Sequence, residues 1–265
     1  MSERNRGASG LEGRHAVITG GSSGIGIAIA AELARLGARI TLMGRSAAKL
    51  NEQAARLAED SGHTTEVVLC DVEATEQVEA AFAIAAKGLG DPAILVNCAG
   101  QAESHAFLET PSGTWQRLLS VNVVGPALCI AQVLPAMLAA RSGRIVNIAS
   151  TAGLKGYSHT AAYAASKHGV IGLTRALAVE VARTGVTVNA VCPGYTETGS
   201  SQAAIENLVR AGRTPEEARA AILRVNPQRR LIRPEEVAKA VAWLCSPDSA
   251  AVTGQAIAVA GGEVM

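Results

Sequence analysis

Apolar positions along the chain follow two alternating patterns. Short runs rich in valine, isoleucine and leucine are separated by longer, alanine-rich stretches in which apolar residues return at helical spacing, the succession expected of repeated βαβ units. The short runs are continuous rather than alternating, so their strands are expected to be covered on both faces. Strands are expected at HAVIT (15–19), RITLM (39–43), TEVVLC (65–70), ILVNCA (94–99), RIVNIA (144–149), VTVNAV (186–191) and AIAVA (256–260). Helices are expected over 24–36, 46–60, 75–88, 114–140, 160–183 and 234–246, with right-handed crossovers placing them on both sides of the sheet. The expected fold is therefore a single-domain α/β Rossmann fold, a seven-stranded parallel sheet with helices on both faces. Residues 13–265 form its catalytic domain, residues 1–12 a flexible N-terminal arm, and the polar, arginine-rich stretch from Glu197 to Gln228 an irregular segment suited to a substrate lid.

Composition narrows what such a domain can do. At 265 residues the chain can bury one large α/β core without a second domain. Lys and Arg number 24 against 23 Asp and Glu, which gives no electrostatic case for nucleic acid or a membrane surface as partner. The five cysteines (Cys70, Cys98, Cys129, Cys192 and Cys245) lie scattered in apolar runs without CxxC spacing. They are expected to be buried free thiols of a reducing compartment, the cytoplasm, and no metal site is expected. The opening MSERNRGASGLEGR lacks the apolar core of a signal peptide, and no uninterrupted apolar run reaches the ~18 residues of a membrane span.

Two local patterns carry chemistry. TGGSSGIG, Thr19 to Gly26, closes the first strand and opens the first helix. Glycines in such a turn let the backbone approach a pyrophosphate, which the helix N-terminus attracts through its unpaired N–H groups and dipole. Gly20, Ser22, Ser23, Gly24, Ile25 and Gly26 are therefore candidate cofactor contacts. The second is YAASK (163–167), which puts a phenol and an ammonium four residues apart on one helix face. Taken alone, such a pair is more often an exposed helix surface than a catalytic one.

In order along the chain stand TGGSSGIG (19–26), CDV (70–72), NCAG (97–100), VNVVG (121–125), IVNIAS (145–150), YAASK (163–167) and VCPGYTET (191–198). On these the chain resembles the short-chain dehydrogenase/reductase family from about residue 13 to its end. Position by position, the resemblance implies Asp71 and Val72 near the adenine, and Asn97, Ala99 and Gly100 along the cofactor. It implies Pro193, Gly194, Thr196 and Thr198 near the nicotinamide, and Asn122, Ser150, Tyr163 and Lys167 as catalytic residues, with Tyr163 and Lys167 also touching cofactor. Cys98 departs from the family, which usually has a second Asn there to hold the central strands.

Ketone reduction needs a hydride from the nicotinamide and a proton from a group whose pKa suits the working pH. A free phenol, near 10, is too weak an acid. The Lys167 ammonium and the charge of an oxidised nicotinamide are expected to lower Tyr163 by two to three pKa units, roughly 3–4 kcal/mol. Ser150 is expected to hold the substrate oxygen, Lys167 the ribose hydroxyls, and Asn122 to link Lys167 to solvent through a water.

The second strand ends MGRS, with Gly44 where an acidic residue selects NAD and with Arg45 after it. NADP(H) is therefore favoured over NAD(H). The 144–198 region resembles most closely the β-ketoacyl thioester and polyketide ketoreductases, implying a small-molecule or thioester substrate, with CoA or a carrier protein as the expected bearer of the thioester. Arg210, Arg213, Arg219, Arg224, Arg229, Arg230 and Arg233 around the expected lid read as a cationic rim able to meet phosphates or, almost equally well, as surface arginines on solvated helices. A catabolic hydroxyacyl-CoA or free-alcohol dehydrogenase using NAD is the alternative. A non-catalytic dinucleotide sensor would be expected to have lost Ser150, Tyr163 or Lys167, which are all present. The resemblance also implies a homotetramer.

Overall fold

The computed structural model of the chain describes residues 10–22, 24–62 and 64–265. Its strands are β1 (His15–Thr19), β2 (Arg39–Gly44), β3 (Glu66–Leu69), β4 (Ile94–Asn97), β5 (Gly143–Ile148), β6 (Val186–Pro193) and β7 (Ala256–Val259). They form one parallel sheet in the order β3-β2-β1-β4-β5-β6-β7. The order reverses between β1 and β4, and the crevice outside the carboxyl ends of strands at such a switch point is where ligands bind in open α/β sheets.

The helices are α1 (Gly24–Arg35), α2 (Ala47–Ser61), α3 (Thr75–Leu89), α4 (Ser112–Leu119), α5 (Gly125–Ala139), α6 (Ala161–Val181), α7 (Gly199–Arg210), α8 (Pro215–Val225) and α9 (Pro234–Cys245). Successive side chains of a strand point to opposite faces, and β1 shows the consequence. Ala16 and Ile18 pack with Ile29 and Leu33 of α1, Leu50 of α2 and Val241 of α9. Val17 packs on the other side with Phe82 of α3, Val133 of α5 and Val181 of α6. Both faces are thus covered, as the continuous apolar runs require. Leu11 is fully buried in the first of these clusters. The core therefore begins inside the segment expected as an arm, whose residues 1–9 lie outside the described ones.

Two regions differ from the sequence expectation. Glu197 to Gln228 is not irregular: α7 and α8 pack against one another around Ile205, Ala218 and Ile222. Thr214 starts α8 with a reciprocal capping box, its hydroxyl accepting from the Glu217 N–H while the Glu217 carboxylate accepts from the Thr214 N–H. The single helix expected over 114–140 is broken by a π-turn at Ser120–Val124. The whole run Ser112–Ala139 is long and apolar enough to cross a membrane by length and composition, yet its Val121, Cys129, Val133 and Met137 are spent on the core.

The π-turn brings Asn122 inward, where it is 1% exposed. Its Oδ1 accepts from the Gln101 N–H at 2.9 Å, and its Nδ2 donates to the Gln101 carbonyl and to Ser166 Oγ, both at 2.9 Å. All the polar capacity of this amide except one lone pair is thereby used to fasten the segment after β4 to α6. Asn122→Ala strands those buried partners, so chemical denaturation is expected to show a loss of about 2–4 kcal/mol with an unchanged m-value. A loss under about 0.5 kcal/mol, the range of neutral surface changes, contradicts this role.

Candidate active site

The glycine turn after β1 is a tight, stitched structure. Gly20 and Gly24 have φ of +68° and +55°, a region that L-residues with side chains avoid. A Cβ on Gly20 would stand 2.8 Å from the Ala99 nitrogen, and one on Gly26 would collide with the Gly20 carbonyl oxygen. Thr19 Oγ1 accepts from the N–H groups of Cys98 and Ala99 at 3.1 and 3.2 Å, which fixes the NCAG segment against the turn. A Cβ on Gly24 would lie 3.2 Å from Thr198 Cγ2, so the stretch after β6 lies across the mouth of the same turn. This bare backbone cradle at the N-terminus of α1 fits a dinucleotide pyrophosphate. Ile25 and Gly26 lie in the first turn of α1, and Ser22 in the loop before it. Ser23 lies outside the described residues.

The remaining cofactor candidates ring this cradle at the carboxyl ends of the strands. Arg45, just past the end of β2, is exposed, with no ion-pair partner among the described residues. Asp71 Oδ1 accepts from the Glu73 N–H at 3.1 Å. Val72 is buried against Gly125, whose Cβ would stand 2.9 Å from its Cγ2. Gly100 lies against both Asn122 Oδ1 and Lys167 Nζ, 3.0 and 3.5 Å from where its Cβ would be. Pro193 ends β6, and the Gly194 N–H donates to the Val259 carbonyl at 3.1 Å. Thr196 is buried and its hydroxyl donates to the Gly194 carbonyl at 3.0 Å; the Thr198 hydroxyl donates to the Thr196 carbonyl at 3.3 Å. Asn97 differs from the rest. Its side chain is turned into the sheet, where Nδ2 donates to Asn147 Oδ1 at 2.9 Å and Asn147 Nδ2 donates to Thr174 Oγ1 of α6 at 2.9 Å. That amide holds the central strands, the work the resemblance assigned to the position of Cys98.

Ser150, Tyr163 and Lys167 come together beside the cradle. Ser150 follows β5 and caps the 3₁₀ turn Thr151–Gly153, its Oγ accepting from the Ala152 N–H at 3.1 Å. Its hydroxyl also acts on the Tyr163 phenol, favouring the ionised form. Lys167 is 6% exposed and donates from Nζ to the Ile148 carbonyl at 2.9 Å. That ammonium stands 5.9 Å from the centroid of the Tyr163 ring. The protonation consequences run opposite to the expectation from sequence. Burial pushes the Tyr163 phenol above its ordinary value, with the Ser150 hydroxyl opposing, and burial pulls Lys167 down to about 8. Desolvation disfavours each charged form, and for the phenol it outweighs the opposing effect of Ser150.

Sequence reasoning missed the open pocket that the helical pair helps to line. It is about 410 Å³, opens beside Thr198 and is lined in part by Ser201, Ile205, Arg219 and Leu231. The signal for α8, which supplies Arg219 to it, was present in TPEE, residues 214–217, a helix start with proline at the first helical position and a glutamate placed to complete the capping box.

Comparisons with known proteins agree with this arrangement. Residues 20–263 match a family model described as enoyl-(acyl carrier protein) reductase. The protein named ketoacyl reductase 1 of the granaticin polyketide synthase, from Streptomyces violaceoruber, is 42% identical over 250 residues, 93% of this chain and 92% of its own. Cis-4-hydroxycyclohexanecarboxylate dehydrogenase of Sinomonas cyclohexanicum is 41% identical over 94% of this chain and 96% of its own. A crystal structure of a variant actinorhodin polyketide ketoreductase with NADPH superposes with a TM-score of 0.91 at 41% identity, covering 94% of this chain and 97% of that one. The chain belongs to the short-chain dehydrogenase/reductase family and is an oxidoreductase that works between CH–OH and C=O.

Proposed function

We propose that the protein is an NADP(H)-dependent ketoreductase whose substrate is a β-ketoacyl thioester carried on CoA or a carrier protein. The observation that carries the reading is the grouping of Ser150, Tyr163 and Lys167 beside the glycine cradle at the switch point of the sheet. When bound, the nicotinamide supplies the hydride and, once oxidised, a positive charge near the phenol. Ser150 holds the carbonyl oxygen. Tyr163, kept protonated by its burial, gives that oxygen its proton. Lys167 spends one of its donors on Ile148 and keeps the others for ribose hydroxyls and for stabilising the phenolate that Tyr163 becomes. The Asn122 side chain is committed to Gln101 and Ser166, which leaves one Oδ1 lone pair to hold a water that links Lys167 to solvent.

The substrate class draws support from the names of relatives. Besides the polyketide ketoreductases, a 3-oxoacyl-(acyl-carrier-protein) reductase of Vibrio cholerae is 37% identical over 96% of this chain. The arginine rim is smaller than the sequence count suggests. Glu236 pairs with Arg230 and Arg233, and Arg210 donates to Asn207. Arg213, Arg219, Arg224 and Arg229 lack ion-pair partners among the described residues, and Arg219 lines the cavity; these are the cations left to meet phosphate. The dehydrogenase of a free cyclic alcohol at 41% identity favours a second reading, oxidation of a free alcohol. We place the protein in the cytoplasm on its five free cysteines. We infer a homotetramer that covers exposed apolar residues such as Leu119, Val124 and Val179.

A spectrophotometric screen at 340 nm, with acetoacetyl thioesters, decalones and simple ketones in both directions, tests the reaction and the substrate. Thioester reduction is expected, with a loss of about 10²–10⁴-fold in Tyr163→Phe; unchanged turnover in that variant overturns the mechanism, and activity on free ketones alone overturns the substrate. For the cofactor, NADPH is expected to exceed NADH in kcat/KM, and Arg45→Asp to cut that ratio by about 10- to 100-fold. Native preference for NADH contradicts it. The pH dependence follows from Lys167, whose ammonium is present below about 8 and is lost as pH rises through it. Reductive kcat/KM, which reports the free enzyme, should therefore be level on the acid side of that value and decline above it, with Lys167→Arg moving the decline upward. A level profile well above that pH contradicts the assignment.

A further inference from the structure

We propose that Glu263 is a positioning residue for Ser150, acting through Thr151 and Tyr157. Glu263 lies beyond β7, and its side chain is 1% exposed. The Tyr157 hydroxyl donates to its Oε1 and also meets Thr151 Oγ1 at 2.8 Å, which links Thr151 to the carboxyl through Tyr157. Lys155 Nζ donates to the Glu263 backbone carbonyl at 3.1 Å, lies 3.5 Å from Oε1 and stands 4.9 Å from the centroid of the Tyr157 ring. In the segment that directly follows Ser150, Tyr157 and Lys155 therefore meet one carboxylate, and Thr151 is tied to it through Tyr157.

The opposite side of that segment is pinned to α6. A Cβ on Gly153 would stand 2.7 Å from the Lys167 carbonyl oxygen, so the 3₁₀ turn that Ser150 caps is held between the lysine's helix and Glu263. The other carboxylate oxygen, Oε2, is buried with no hydrogen-bond partner. It faces Gly194, where a Cβ would stand 2.8 Å from it. One carboxylate thus touches both the turn that carries Ser150 and the turn that ends β6.

Stability is a poor reason for such a group. A buried ion pair often does no more for the fold than apolar residues of the same volume, while a half-satisfied carboxylate costs more. Burial also pushes the Glu263 carboxyl above its usual range, against the pull of Lys155. What the cluster does supply is a fixed place for Thr151 and therefore for the hydroxyl of its neighbour, and displacement of a catalytic group by about 1 Å can cost about 100-fold in rate.

The inference rests on the reading that Ser150 holds the substrate oxygen, and the test separates the two. Turnover and NADPH affinity are compared for the native protein, Glu263→Ala, Glu263→Gln, Ser150→Ala and the Glu263→Ala/Ser150→Ala double variant. Glu263→Ala is expected to lose about tenfold or more in kcat with NADPH Kd within about twofold, and Glu263→Gln, whose amide oxygen still accepts from Tyr157, to recover most of it. In the Ser150→Ala background the second change should cost nothing further, because the group it positions is gone. Should Glu263→Ala not fold, Tyr157→Phe takes its place in the same comparison. Equal losses in both backgrounds, native kcat in Glu263→Ala, or parallel losses of kcat and NADPH affinity each overturn the inference while leaving the site intact. Native turnover in Ser150→Ala overturns the reading of the site and this inference with it.

Discussion

Tyr163 and Lys167 give up most of their water to the walls of one cleft, and each responds in the direction that suppresses its charge. The phenol is held above its ordinary value and the ammonium is drawn down to about 8. The neighbouring thiols of Cys98 and Cys192 are driven up to about 12 and about 11 by the same burial, so they stay neutral and bring no competing anion. A dry cleft with few settled charges is one in which an arriving charge acts at low effective dielectric. The protein alone keeps the phenol protonated, the form a proton donor must have. The drive toward phenolate then has to come with the bound nucleotide, with Lys167 held in range of the ring by the Ile148 carbonyl.

That cleft depends on backbone placements that leave little freedom. Gly26 packs so closely on Gly20 that a methyl group has no space there, and Thr19 bonds two successive N–H groups of the NCAG segment. The Asn97, Asn147 and Thr174 side chains run from the sheet into α6, the helix that carries both Tyr163 and Lys167. Asn122 closes the remaining side by joining the segment after β4 to Ser166 on that same helix. Polar groups buried in this way are costly to leave unpaired, which makes the network specific about where α6 sits and therefore about where the phenol sits.

The strands were legible because a parallel sheet covered on both faces needs continuous apolar runs, and HAVIT, RITLM and ILVN supply them. The glycine turn was legible because strand, turn and helix occur there in order. The break in the 114–140 helix was not, since VNVVG is apolar and without proline before its end, and only the inward direction of Asn122 reveals the π-turn. The α7–α8 pair could have been read from the TPEE capping box but was hidden by its arginines. Nothing in the sequence announces Glu263. Its partners Thr151, Lys155 and Tyr157 are more than a hundred residues away, and only the meeting of β6 and β7 at the sheet edge brings them near. The inward turn of the Asn97 side chain is likewise a matter of which face of β4 it occupies.

The lowered acidity barrier of one phenol is the central claim, and ultraviolet difference titration reads it directly. Tyrosinate absorbance is followed against pH for the native protein and Tyr163→Phe, each with and without saturating NADP⁺. The account predicts a native-minus-variant transition above that of free tyrosine without nucleotide, and one moved down by two or more pKa units, about 3 kcal/mol, when NADP⁺ is bound. A transition that nucleotide leaves in place contradicts it.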